Sequence, residues 1–130
     1  VHYAAGENNA DPTETADAST IKLSYAIGSI TVGASETEYD SKTASNDQDV
    51  SSMNISYTVS ENISVSYGQD EIATPGVATD QDIKTTAISG SYTTGGMTLG
   101  AMMGQTENNA HGTSGSEDKD MWHLTASFAF

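Results

Sequence analysis

The last eleven residues of the chain limit its fold more than any other stretch. Counting back from the end, every second residue is apolar, and the residues between them are small or polar; the apolar set is Phe130, Phe128, Ala126, Leu124 and Trp122. A period of two over this length is typical of a β-strand with one apolar and one polar face. Its length is close to the roughly 9–11 residues that a tilted strand needs to cross a bilayer. The ending therefore predicts a membrane-spanning β-strand, the last of a barrel.

The composition fits a barrel wall better than a soluble core. Only 35% of the 130 residues are hydrophobic and 7% are aromatic, which is little material for burying a soluble domain of this size. No apolar run approaches the roughly 18 residues of a transmembrane helix. The absence of cysteine excludes disulfides, thiolate metal sites and cysteine nucleophiles. No secretory signal segment is present, so we expect a mature, processed or partial chain.

The charge is strongly negative. Eighteen acidic residues against four lysines give a formal net charge of −14. Nucleic-acid binding depends on cationic contacts to phosphate, so this balance argues against a nucleic-acid partner.

A repeated unit of strand, short turn, strand and long polar loop runs along the chain. A Ser-Tyr pair ends one strand of each unit at Tyr25, Tyr57 and Tyr92, and Phe128 follows at a similar interval. Short turns are predicted at 28–29, 60–62 and 94–96. Residues 1–6 are interpreted as the stub of a strand and residues 7–17 as a polar loop, which leaves about seven full strands.

The acidic residues are concentrated at one end of these strands. Seventeen of the 18 fall in the long loops or at the strand ends that face them, and only Glu61 lies in a short turn. A barrel with short turns on one side of the membrane and long loops on the other has this asymmetry. A soluble β-sandwich meander is the alternative, but it gives no reason for the asymmetry.

With these alternating strands and the ending Leu124 to Phe130, the chain resembles the carboxy-terminal part of a Gram-negative trimeric porin. Porins with acidic loops, as in alphaproteobacteria, are the nearest in character. The resemblance implies an all-β, antiparallel, up-and-down transmembrane β-barrel of sixteen strands in the outer membrane. Residues 1–130 would then be the carboxy-terminal segment of one barrel domain that is incomplete at its amino terminus. The constriction loop and arginine cluster of the family would lie in the earlier half.

The resemblance also implies partners and a function. The expected function is passive diffusion of small hydrophilic solutes and ions through a water-filled channel, with a preference for cations from the acidic loops. The expected partners are outer-membrane lipid and lipopolysaccharide, two further copies in a homotrimer, and the barrel-assembly machinery, which would recognise Phe130.

The alternation divides the candidate site residues between two faces. Polar positions predicted to line the pore are Lys22, Ser24, Thr31, Ser56, Ser64, His123 and Thr125. Aromatic positions predicted to lie at the membrane interfaces are Tyr25, Tyr57, Tyr92, Trp122, Phe128 and Phe130. Lys84 is expected to point outward near the external rim, towards a lipopolysaccharide phosphate or solvent.

Pairs of carboxylates precede several strands and give a candidate metal site. They are Asp47, Asp49, Asp80, Asp82, Asp118 and Asp120. Ca²⁺ takes several carboxylate and carbonyl oxygens, so loops that converge at the external mouth could bind calcium ions. None of the runs has EF-hand spacing, and solvated acidic loops are the alternative. No other cofactor is expected.

No motif predicts catalysis. The chain has neither a Gly-x-Ser-x-Gly nucleophile elbow nor a glycine-rich phosphate loop, and we predict no catalytic residues. Besides a porin, two non-channel functions remain open: a small barrel with a filled lumen, and a soluble surface or adhesion module.

Overall fold

The computed structural model describes residues 1–11, 14–41, 43, 46–75, 82–109 and 118–129. Eight β-strands account for most of these residues. They are β1 (His2–Asp11), β2 (Glu14–Ile27), β3 (Ile30–Ser41), β4 (Gln48–Ser60), β5 (Ile63–Ala73), β6 (Ile83–Thr94), β7 (Met97–Glu107) and β8 (Lys119–Phe128).

The strands form a single sheet in which each strand pairs with its sequence neighbours, in the order β1 to β8. All seven pairings are antiparallel. The predicted all-β, antiparallel, up-and-down architecture is confirmed. Within the described residues, β1 and β8 each pair along one edge only.

The predicted count of about seven strands was wrong, because residues 7–17 are not one polar loop. Glu7 lies opposite Asp17 and Asn8 opposite Ala16, so the ladder between β1 and β2 continues through this stretch. Pairing satisfies backbone N–H and C=O groups whatever the side chains are, so polarity did not end these strands. With ten residues, β1 is long enough to cross a bilayer and is not a stub.

The predicted short turns are confirmed. They lie at 28–29, 61–62 and 95–96. Gly28, Gly95 and Gly96 adopt φ values of 56°, 53° and 81°, a region that glycine enters at no steric cost because it has no Cβ. All three turns lie at the same end of the sheet, and the longer connections lie at the other end, together with the two-residue connection between β1 and β2.

Cross-strand register assigns each side chain to one of two faces. We call one the tyrosine face, which contains Tyr25, Tyr57, Tyr67 and Tyr92, and the other the serine face, which contains Ser24, Ser56, Ser66, Ser89 and Ser91. From Ile30 to Glu38 in β3 and from Ile63 to Gly68 in β5, the tyrosine-face residues are exposed and the serine-face residues are half-buried.

This distribution reverses that of a soluble domain. None of the described residues is a buried hydrophobic side chain, whereas soluble domains bury most of theirs. Most of the large apolar side chains instead lie on the more exposed face. Among the described residues there is no helix with the length and hydropathy to cross a membrane.

Candidate functional site

The serine face consists mainly of Ser, Thr and Gly residues, and a few larger apolar side chains lie among them: Tyr39, Val50, Ile72, Ile83, Met102 and Met121. Hydroxyl groups of neighbouring strands hydrogen-bond across it: Ser64 Oγ and Ser91 Oγ are 2.7 Å apart, and Ser66 Oγ and Ser89 Oγ are 2.6 Å apart. Similar pairs join Thr20 to Thr37, Thr85 to Thr106 and Thr93 to Thr98 at 2.9–3.0 Å. Each hydroxyl still has capacity for another partner, so water can wet this surface.

All seven positions predicted to line a pore lie on the serine face. Thr31 and Ser56 are directly opposite each other, and Ser24 and Ser64 belong to neighbouring rows. Lys22 lies between His2 and Ser35, and His123 lies opposite Met102. Thr125 donates its hydroxyl proton to the Gly100 carbonyl at 3.4 Å. Their shared face agrees with the prediction, and their role in a pore stays a prediction.

Two glycines allow close contacts between strands on the serine face. A Cβ on Gly33 would stand 2.9 Å from both the amide nitrogen and the amide oxygen of Asn54. A Cβ on Gly100 would stand 2.6 Å from Thr125 Oγ1. Asn54 was not among the predicted pore residues. Its cross-strand position opposite a glycine is the signal that could have identified it.

The tyrosine face carries an apolar band between the short turns and the acidic strand ends. One row of directly paired residues across the sheet contributes these side chains to the band: Tyr25, Val32, Ile55, Tyr67, Ile88, Met103 and Trp122. Trp122 is 79% exposed and Leu124 is 73% exposed. Such a large exposed apolar surface needs a cover, and a bilayer supplies one.

The apolar band runs obliquely to the hydrogen-bonded rows. The row that starts at Ser24, the middle of the band in β2, reaches β5 at Gly68 and β8 at Met121. The middle of the band lies at Val65 in β5 and at Thr125 in β8. Relative to the row of Ser24, the band is therefore displaced towards the short turns by about three residues at β5 and by about four residues at β8.

This displacement measures the inclination of the strands. Four residues correspond to about 13 Å along a strand, and six strand spacings to about 29 Å across the sheet. If the band is level with a membrane, the strands are inclined to its normal by about 25°. Transmembrane barrels tilt their strands in the same way, by roughly 35–45°. A soluble sandwich would have no reason for the offset.

The predicted interface aromatics lie on the tyrosine face. Tyr25, Tyr57, Tyr92, Trp122 and Phe128 are all exposed there, and Phe130 lies outside the described residues. Tyr25 and Trp122 share one hydrogen-bonded row, but the oblique band places Tyr25 on its short-turn side and Trp122 at its loop-side limit. Tyr67, which was not predicted, lies in the same row. The band therefore has aromatic side chains at both of its limits, and their interface role stays a prediction.

The charged side chains are distributed unequally between the two faces, which was not predicted from the sequence. Among strand residues with described side chains, the tyrosine face carries one lysine, Lys84, and eight acids: Asp17, Glu36, Glu38, Asp40, Asp49, Glu71, Glu107 and Asp120. Among the same described side chains, the serine face carries Lys22, Lys119 and one acid, Asp70. Most acidic side chains of the strands therefore lie on the tyrosine face, at the loop end of the apolar band.

Those of the predicted calcium ligands that the structure describes form no common site. Asp47 accepts a hydrogen bond from Ser41 N at 2.7 Å, and Asp118 accepts one from Asn108 N at 3.0 Å. Asp49 lies opposite Glu38 and Asp120 opposite Gln105, while the Asp82 carbonyl accepts a bond from Asn108. Asp80 lies outside the described residues. No group of three His, Cys, Asp or Glu that could hold a metal occurs among the described residues, and calcium binding stays a prediction.

Comparison with known proteins agrees with this geometry. The family model of the Gram-negative porins matches residues 2–130. A search of curated proteins and a search of solved structures each gave no match. The family match supports a location in the outer membrane and a function as a channel rather than an enzyme. With an exposed apolar band on one face, a polar wall on the other and a match over nearly its whole length, the chain belongs to the Gram-negative porin family.

Proposed function

We propose that the protein lets small hydrophilic solutes and ions diffuse passively through a water-filled lumen whose wall includes the serine face. One observation supports this above all: the apolar side chains cover the exposed face, and the hydroxyl groups cover the shielded one. Lipid would contact the tyrosine face, and water would fill the other side, as in outer-membrane barrels.

We propose further that the eight strands form the carboxy-terminal segment of a larger barrel. Unpaired strand edges are not tolerated in a bilayer, where each unsatisfied backbone group costs several kcal/mol. The open edges of β1 and β8 therefore need partners, and further strands would provide them. Sixteen strands, a homotrimer, contact with lipopolysaccharide and recognition of Phe130 by the assembly machinery follow from the resemblance to trimeric porins.

A preference for cations is the finer part of this proposal. The formal charge of −14 is carried mostly at the loop end of the strands and in the loops. Acidic groups around a channel mouth raise the local concentration of cations.

A closed eight-stranded barrel with a side-chain-filled lumen is the second candidate. The number of strands is even and β1 has ten residues, which satisfies the length and parity that small outer-membrane barrels require. In that case β8 would pair with β1, and ions would pass poorly.

Single-channel conductance of the native detergent-extracted protein in a planar bilayer tests both candidates. Large, long-lived steps that close in threes would support the trimeric porin. An intact, folded protein that gives no steps would refute the open channel and favour the filled barrel. Reversal potentials in a KCl gradient then test the cation preference. A reversal potential with the sign of the chloride equilibrium potential would contradict it.

A further inference from the structure

The serine face holds a group of hydrogen-bond donors around Lys22, a cation with no acid directly beside it among the described side chains. Lys22 has His2 and Ser35 as its direct cross-strand neighbours, and neither is an acid. The acid of this face with a described side chain, Asp70, lies in the same row three strands away. That is about 14 Å at the usual strand spacing, beyond the screening length of about 8 Å at physiological ionic strength. The charge of Lys22 is thus left for a ligand.

A cavity of about 460 Å³ lies beside this lysine. Its lining includes His2, Lys22, Ser24, Gly33, Ser35 and Asn54. The Asn54 amide occupies the space that a side chain at position 33 would fill, since both of its polar atoms are 2.9 Å from that Cβ position. Gly33 therefore allows the amide to lie over β3, on the side of Ser24 and Lys22.

We propose that Lys22 and Asn54 form a binding site for the oxyanion of a small solute, a carboxylate or a phosphate. The lysine contributes a compact positive charge with three donors, and the asparagine contributes an amide N–H₂ group. The hydroxyl groups of Ser24 and Ser35 can donate to the remaining oxygens. This inference depends on the proposed function, because the site can act on permeating solutes only if the serine face lines a lumen.

This site would give the serine face the opposite ion preference to that of the acidic loop end. Cations concentrate at the mouth, while Lys22 attracts anions inside, so the acidic composition of the chain does not decide which ions pass. Removing the Lys22 charge should raise the permeability ratio of potassium over chloride. One unit charge about 5 Å from an ion in water changes its concentration by about twofold, even with the screening of physiological ionic strength.

The test compares two lysines on opposite faces of the same protein. Lys22→Gln and Lys84→Gln remove the same charge, the first from the serine face and the second from the tyrosine face. In planar bilayers under a KCl gradient, Lys22→Gln should raise potassium selectivity at least about twofold, and Lys84→Gln should leave it unchanged. Equal shifts in both variants, or a shift in neither, would overturn the proposal.

Binding is measured separately, as the reduction of KCl current by added inorganic phosphate or acetate. Lys22→Gln and Asn54→Ala should each require a higher concentration for half-maximal reduction, whereas Lys84→Gln should behave as the unmodified protein. Gly33→Ala should weaken the effect by displacing the Asn54 amide. Gly68→Ala is its matched control, because its Cβ would meet nothing closer than Met53 O at 3.8 Å.

Two failures remain distinguishable. If the unmodified protein gives no channels, the proposed function fails. If it conducts and phosphate and acetate reduce the current equally in all variants, the channel stands and the anion site is refuted.

Discussion

The tyrosine and serine faces share one backbone and have opposite surroundings. On the tyrosine face, apolar side chains form a band that ends in carboxylates on the loop side. On the serine face, hydroxyl groups bond to each other from strand to strand, and the few charges are mainly positive. The comparison shows that net charge alone is a poor guide to the lumen of such a protein. Which face bears the charge decides what a passing solute meets.

The strongest test of the comparison is a charge placed on each face of one strand. Leu124 belongs to the apolar band, and its neighbour Thr125 lies on the serine face. Leu124→Arg should lower the free energy of unfolding by about 2–4 kcal/mol, since an arginine near the bilayer midplane is poorly solvated. Thr125→Arg, in contact with water, should cost much less. Urea unfolding in lipid vesicles, followed by tryptophan fluorescence, measures both values. Equal losses would show that the two faces meet the same medium.

Glycines provide a second contrast. Gly104 lies on the serine face, where a Cβ would stand 2.9 Å from the backbone oxygen of Thr86, whereas Gly90 on the tyrosine face would meet nothing closer than 3.7 Å. Because a backbone atom moves less easily than a side chain, Gly104→Ala should destabilise by about 1–3 kcal/mol. Gly90→Ala should be close to neutral. The same unfolding assay applies, and a larger loss for Gly90→Ala would refute the tight strand contact at Gly104.

The hydroxyl pairs of the serine face have a smaller expected effect. Ser66 and Ser89 are 2.6 Å apart between their oxygens, so a double-mutant cycle to alanine should give a coupling of about 0.2–1 kcal/mol. Ser66 combined with Thr20, three strands away, should give additive losses. Coupling in the distant pair, or its absence in the contacting pair, would show that the hydroxyl groups do not stabilise the wall through direct bonds.

Most of the fold could be predicted from the sequence because it depends on one pattern, the alternation of apolar and polar residues. Alternation of apolar and polar residues defines a strand face without any tertiary information, and glycines at 28, 95 and 96 mark turns that need positive φ. The signal fails where both faces are polar. The only apolar side chains in residues 7–17 are those of Ala10, Pro12 and Ala16. The stretch therefore resembled a loop, although the backbone pairs Glu7 with Asp17.

The candidate site was less accessible to sequence reasoning. The parity of a strand assigned Lys22 and Thr31 to the polar face, but parity in one strand does not say which residue lies opposite in the next. Asn54 therefore escaped notice, because its importance depends on the register that places it beside Gly33. The parity of β3 places Glu36 and Glu38 on the face of Ile30 and Val32, and the register extends that face to the neighbouring strands.

The smallest effect concerns the lysine of the tyrosine face. Lys84 lies directly between Glu71 in β5 and Glu107 in β7, and opposite charges in such cross-strand positions contribute about 0.2–1 kcal/mol. Lys84→Gln should therefore lower the free energy of unfolding by up to about 1 kcal/mol, while Lys22→Gln, without an opposing acid, should lower it by less. Salt separates charge from packing: at about 1 M ionic strength the screening length falls to about 3 Å, and the difference between the two variants should disappear. A difference that persists in high salt would mean that Lys84 stabilises the sheet through the contacts of its aliphatic stem, and the two lysines would then differ in packing rather than in electrostatic environment.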